Sequence, residues 1–491
     1  MWWKFRARRG TTLIVATAVI LLVKHQARGA VAEDVFVLPP RSFGKAPVEA
    51  STDSTAASTA NLAKNIVGAG VLSLPSGAGK VLDAAASSGV GSHESNVSAL
   101  LLLYIIFGAL NAYGFYLIGE VCERTGARTY QEAWERTLGA YAWVLSAASV
   151  VCSFTGMVAC ASVIGDTASQ LVVSLGQDLV PKDVLMSGIS TFLLFPLCLL
   201  PSLSPLAFAS VLGLLGVSAL ALVMLLRWFD GSYLLGGNFY SDAKTTLDLL
   251  SKTQAPPESS GNLLFQQVCV FAAILSNAFS AHFNAPAIFN ELEPQPDDQG
   301  RTSRLPQLAT VTATAFALSG FIFWAITMAG FETFGAHADA SILNSYSAAD
   351  PLVAVARVGL GLCVLFEFPL LERCFRQTAV EVLGLPKWME QNVLTVAASV
   401  GLSVALAFLP GFGLDKTAAL GGALGASLLI YVAPALMALK LNPEKPSISR
   451  GFQTEVENSV GLPGGQDIFL RGVAGLGSLL GGLGVAESMQ A

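Results

Sequence analysis

The stretch Asn61–Gly79, NLAKNIVGAGVLSLPSGAG, decides how the rest of the chain is read. It lies in a segment apolar enough to cross a bilayer, yet Gly68, Gly70 and Pro75 interrupt it and Lys64 stands just before them. Inside a helix a glycine costs about 1 kcal/mol and a proline about 3 kcal/mol. A break would free backbone N–H and C=O groups, which are tolerated at membrane depth only when protein buries them or they line a polar cavity. Discontinuous helices of this kind build binding sites, because their free N–H groups and half-helix N-termini attract an anionic group such as a substrate carboxylate. A glycine-rich helix crossing would account for the glycines alone.

A second interrupted segment argues against that plainer reading. ILSNAFSAHFNAPAIFNELEP, residues 274–294, carries Asn277, Ser280, His282, Asn284, Pro286 and Asn290 in an otherwise apolar setting. Paired interruptions in corresponding members of two halves point to a transporter site at a repeat interface. The two segments stand first and sixth in the chain, as two five-helix halves require. A lone intramembrane histidine is often a packing residue, so His282 reads either as a cavity group or as part of the core.

The composition agrees with a polytopic membrane protein. Of 491 residues, 53% are hydrophobic and 13% charged, and the mean hydropathy is +0.60. A window of about 20 residues finds spans near 62–81, 97–120, 141–174, 184–200, 205–226, 263–290, 306–332, 351–371, 391–410 and 416–439. A Gly-rich eleventh lies near 468–486. The net charge of −6 is small, with no long charged block, so nothing points to nucleic acid. Seven cysteines lie mostly in apolar runs, and none makes a CxxC or Cys/His metal pattern, so they read as small core residues.

Positive charge gathers in alternate loops. Arg41, Lys45, Arg124, Arg128, Arg136, Arg301, Arg304, Arg373, Arg376, Lys387, Lys440, Lys445 and Arg450 form one set; the other loops are longer and poorer in Lys and Arg. The start of the first span therefore faces the cytoplasm or its topological equivalent. The sequon Asn96-Val97-Ser98 falls on the opposite side but abuts a span. Residues 1–32 combine a basic start, the apolar run TTLIVATAVILLV and a small-x-small pattern at Ala30 and Ala32. This predicts a signal-peptide-like targeting segment or an anchor helix, followed by a polar Ser/Thr/Ala-rich tail over 33–60 and the transmembrane domain over 61–491. A cleaved signal peptide would conflict with the loop count, and endomembrane, plasma and plastid membranes all stay open.

These residues carry a family resemblance. NIVGAGVLSLP resembles the first-helix signature of the amino acid/auxin permease family, SAHFNAPAIFNELE is similar to its sixth-helix pattern, and FPLLERCFR, with Pro369 and Arg376, resembles the end of its eighth helix. The resemblance implies an all-α membrane protein of the LeuT type, with two inverted five-helix repeats and about eleven transmembrane helices. It implies a secondary transporter of amino acids or related compounds, driven by protons or sodium. Carried over by position, Gly68, Ala69 and Gly70 would offer backbone donors to the substrate carboxylate. Asn277, Phe279 and Ser280 would line the other side, with Ser153, Phe154 and Thr155 on the third helix.

The departure concerns the ion. Sodium-coupled relatives resemble Asn where this chain has Lys64, and Thr where it has Glu367. An ammonium can fill a cation site without a metal, and a carboxylate nearby compensates its burial. Lys64, Glu367 and His282 are therefore the coupling candidates, and transport is expected to be proton-coupled or sodium-independent. The alternative is that Lys64 snorkels to the cytoplasmic surface while Glu367 faces a wet crevice. Glu120 and Asp166, near helix ends, and Arg357, Arg373 and Arg376 are expected to reach water or headgroups. No nucleophile elbow, HExxH or Walker motif is present, so neither an enzyme nor an ATP-driven pump is expected, and no cofactor or metal. An amino acid sensor on the same scaffold is the alternative function.

Overall fold

The computed structural model describes residues 54–139, 141–176, 180–200, 207–240, 263–296, 302–409, 414–441 and 463–490. The expected targeting segment at 1–32 and the tail up to residue 53 lie outside them. Apart from Leu383–Leu385, the described residues belong to one compact unit.

The unit is helical. The first apolar segment forms α1 (Ser54–Ile66) and α2 (Leu74–Ser87) with a 3₁₀ turn, Ala69–Ser73, between them. Then come α3 (His93–Thr125), α4 (Tyr130–Thr137) and α5 (Ala142–Ser174). The fourth segment is α6 (Lys182–Ile189), a π turn and α7 (Phe195–Cys198), and the fifth is α8 (Ala207–Phe229). The sixth splits into α9 (Leu263–Ala278) and α10 (Ala285–Glu291). A two-residue β ribbon, Gln295–Pro296 with Thr302–Ser303, leads to α11 (Leu305–Phe334), α12 (Pro351–Val382) and α13 (Val393–Ala407). Last come α14 (Leu414–Gly421) and α15 (Ala433–Leu441), joined through π-helical turns, and α16 (Pro463–Gln490).

Seven helical stretches among the described residues are long and apolar enough to cross a membrane. Of the other expected spans, 62–81 is divided by its break, α6–α7 by a π turn, and α13 has 15 residues, while α8 is an apolar helix of 23 residues. The first helix already includes Ser54, ahead of the span expected from residue 62, and its Thr55 accepts a 3.0 Å bond from Gln307 of α11.

Glycine permits the closest helix contacts. A Cβ on Gly216 of α8 would come within 2.5 Å of the Gly359 carbonyl of α12. A Cβ on Gly422 would run into the Ala273 carbonyl of α9. Lipid tails give apolar helices no hydrophobic drive to associate, so such backbone approach carries much of the packing. The most extensive packing joins α12 to α5 and to α8.

Two expectations about charge are corrected. Arg357 does not reach water: it is fully buried, and its guanidinium donates to the carbonyls of Leu343 (2.9 Å), Tyr346 (2.8 Å) and Ser347 (3.2 Å). The chain preceding α12 bends over the helix start and aims its carbonyls inward, which satisfies the buried cation. Arg376 is also buried, held by Glu372 at 3.1 Å and by the Glu390 carbonyl. Nearby polar anchoring follows the same rule: Asp350, at the head of α12, accepts two 2.7 Å bonds from Arg227 and one from Tyr233. All seven cysteines are free, five of them buried.

Candidate functional site

Two helix breaks meet at one cavity. In the first, α1 ends where the Val67 N–H donates to the Ala63 carbonyl. Gly68 is extended (φ −135°, ψ −161°), and the 3₁₀ turn resumes with a long bond of 3.4 Å from Val71 N–H to the Gly68 carbonyl. Among the described residues the N–H groups of Gly68 and Gly70 find no backbone acceptor. Pro75 does not cause the break; it sits in the first turn of α2, where its missing N–H costs nothing. In the second break α9 ends at Ala278, and two 3.1 Å bonds, Phe279 N–H to Leu275 and Ser280 N–H to Asn277, close it off. Pro286 then opens α10 as Pro75 opens α2.

The cavity has a volume of about 110 Å³ for the centres of water molecules, room for several of them. Of the residues expected to bind substrate, Gly68, Ala69, Gly70, Asn277 and Ser280 line it. Phe279 does not; it is fully buried and packs in the core, stacked on Phe316 and tilted against Phe323, 6.0 and 5.0 Å between ring centroids. Its carbon-rich ring is satisfied there, and the break turns the side chain away from the cavity. On α5, Ser153 lines the cavity while Phe154 packs on Phe375. The Thr155 hydroxyl donates back to the Val151 and Cys152 carbonyls of its own helix.

The coupling candidates separate. Glu367 of α12 lines the cavity, and the Ala69 N–H acts on its carboxylate. Its Oε2 is out of reach of solvent and has no hydrogen-bond partner. Lys64 is half-buried one turn before the break and is the cation acting on Glu367, without a contact ion pair between them. His282 is not in the lining: its Nε2 bonds to the Asn111 carbonyl at 2.9 Å, and its ring stands edge-on to Phe115 and Phe316. Backbone and aromatic partners on α3 and α11 hold it in the packing between helices. Among the described residues no cluster suited to a metal ion occurs.

Sequence reading missed part of the lining. Ser149, Cys152, Gly156 and Cys160 of α5, and Leu371 and Cys374 of α12, are part of the wall. The signal available was periodicity: these positions repeat at three- or four-residue steps and share one face of each helix.

The model of the transmembrane amino acid transporter protein family matches residues 51–454. The chain belongs to this family. Curated members similar to this amino acid transporter family chain include amino acid transporter AVT6E of Arabidopsis thaliana, 25% identical over 79% of this chain and 76% of its own length. Sodium-coupled neutral amino acid transporter 7 of Xenopus laevis is 25% identical over 77% of this chain and 79% of its own. Vacuolar amino acid transporter 5 of Schizosaccharomyces pombe is 25% identical over 67% of this chain and 70% of its own. As a family member with seven apolar helices long enough to span, the protein is an integral multi-pass membrane protein.

Proposed function

We propose that the protein is a secondary active transporter that moves amino acids across a membrane by alternating access. Its fold on this reading is the LeuT-type arrangement of two five-helix repeats, with α1–α2 and α9–α10 as the paired broken helices and α16 as an eleventh. The observation that carries the proposal is the meeting of the two breaks at one cavity, where free backbone N–H groups of Gly68 and Gly70 can hold a carboxylate. The lining residues of α12, and most of those of α5, belong to the halves of those helices nearer the positively charged loops, and those of α1 lie at its end beside the break. The conformation is therefore read as facing the cytoplasm or its equivalent.

Transport on this reading does not require sodium. The Lys64 ammonium stands where a coupling cation would act on Glu367. A proton on Glu367 would release Lys64 and let the first helix move relative to α12. The test is uptake of labelled alanine, serine and glutamine by proteoliposomes, with sodium and pH varied independently. Uptake that persists in choline and responds to a proton gradient supports the proposal. Uptake abolished by replacing sodium with choline at constant pH refutes the sodium claim. Binding without flux would support a sensor instead.

A further inference from the structure

We propose that Glu367 is the counter-ion for the substrate's ammonium group, so that the broken first helix and α12 together hold an amino acid zwitterion: its carboxylate on the Gly70 N–H and its ammonium on the Glu367 carboxylate, which turns its unpartnered Oε2 toward the cavity as substrate binds. The inference rests on the transporter reading above and names the specificity of the same cavity.

Three observations carry it. Glu367 is the one charged residue in the cavity lining among the described residues, so it is the charged group that a bound molecule meets directly. Its two oxygens are in different situations. The Ala69 N–H acts on the carboxylate and fixes it against the break, while Oε2 has no partner at all. A buried carboxylate oxygen left without a donor is costly, and an ammonium supplies the donor and the charge together. Third, the space is made for this carboxylate. A Cβ on Gly68 would stand 2.6 Å from Oε1 and 3.1 Å from Oε2, so glycine is the residue that lets Glu367 reach the break.

Lys64 then has a second role. It acts on Glu367 from the cytoplasmic side without contacting it, as a built-in ammonium that holds the charge balance until substrate arrives. The substrate class follows from the same wall. Among the described residues the lining holds a carboxylate and no cation, so an acidic side chain would find no counter-charge there. The substrates are amino acids with a free ammonium and an uncharged side chain.

The experiment uses the full-length protein, wild type, Glu367→Gln and Glu367→Asp, in proteoliposomes. Uptake of labelled alanine, serine and glutamine is challenged with the matching acid lacking the amino group (propionate for alanine) and with aspartate. In wild type the des-amino acid and aspartate should compete about 100-fold less well than the amino acid. Glu367→Gln should weaken the apparent affinity for the amino acid by about 10- to 100-fold, the range for a hydrogen bond to a charged group. Discrimination against the des-amino acid should then fall to within about 3-fold. Glu367→Asp, which keeps the charge, should lie between and serves if the Gln variant fails to insert. Propionate competing as well as alanine in wild type overturns the proposal. So does a Gln variant that keeps KM and discrimination while its pH dependence disappears, which would leave Glu367 as a proton carrier alone. A wild-type protein that neither moves nor is thermally stabilised by any of the three amino acids overturns the amino acid reading itself, and this proposal with it.

Discussion

Gly68→Ala isolates the geometry of the break. The substitution adds one methyl group at a residue whose extended backbone any amino acid can adopt, so the effect comes from space and not from strain (φ −135°). That methyl would meet Glu367 Oε1 at 2.6 Å, where ordinary contact begins near 3.4 Å, so the carboxylate has to retreat by about 0.8 Å. The atom that must yield is the end of a flexible side chain, so the helix does not have to unfold. A shift of that size weakens the interaction with the Ala69 N–H, a hydrogen bond to a charged group worth about 1.5–3 kcal/mol. The expected loss in kcat/KM is about 10- to 150-fold, with the same amount of protein inserted in the membrane. The assay is initial-rate uptake of labelled alanine, normalised to reconstituted protein. Gly68→Ala combined with Glu367→Asp should recover part of the loss, because the shorter side chain draws the carboxylate back; a double-mutant cycle measures this coupling. Wild-type kinetics in Gly68→Ala, or additive effects in the double variant, would refute the reasoning.

Further outcomes follow from the same structure. Gly70→Val should abolish uptake while the protein still inserts, since a Cβ there already stands 3.4 Å from the Ala278 backbone and two further methyl groups would fill the junction of the two breaks; normal uptake by correctly inserted protein would count against the carboxylate site. Arg357→Met should lower thermal stability by on the order of 3 kcal/mol, because three carbonyls around a fully buried guanidinium lose their donor; an unchanged unfolding midpoint in detergent would contradict this. Gly422→Ala should cost about 1–3 kcal/mol by forcing apart the contact with the Ala273 carbonyl, whereas Gly401→Ala, where a Cβ meets nothing within 4 Å, should be silent; the two are compared by yield and thermal unfolding. His282→Gln should change stability more than substrate affinity, since the ring bonds to the Asn111 carbonyl outside the cavity lining; a selective rise in KM would place it in the transport path after all.

Much of this was legible in the chain because lipid enforces a strict rule on the backbone. Glycines and polar residues inside an apolar run signal N–H and C=O groups with somewhere else to go. Hence the breaks near Gly68 and between Asn277 and His282 could be anticipated, as could the membrane class. The role of Pro75 was less legible. A proline marks a boundary equally well as the last residue before a break or the first after it, and only the built helix shows it opening α2.

Side-chain direction was beyond the sequence. Phe279 and Ser280 are neighbours in an irregular turn with no fixed period, so which one faces the cavity depends on the path of the backbone between α9 and α10. The structure sends Phe279 to the aromatic core and Ser280 to the lining. His282 went the same way as Phe279 for the same reason. The burial of Arg357 had no local signal at all, because its partners are carbonyls 10–14 residues away that become acceptors only after the preceding chain folds over the helix. The sequence by itself determined where helices could not continue and which charges would be costly in lipid, since both depend on local backbone chemistry and residue type. The tertiary structure alone decided what each buried charge stands against. That Glu367 of α12 stands against Gly68 and Ala69 of the first break depends on packing between elements far apart in the chain, which no local preference encodes.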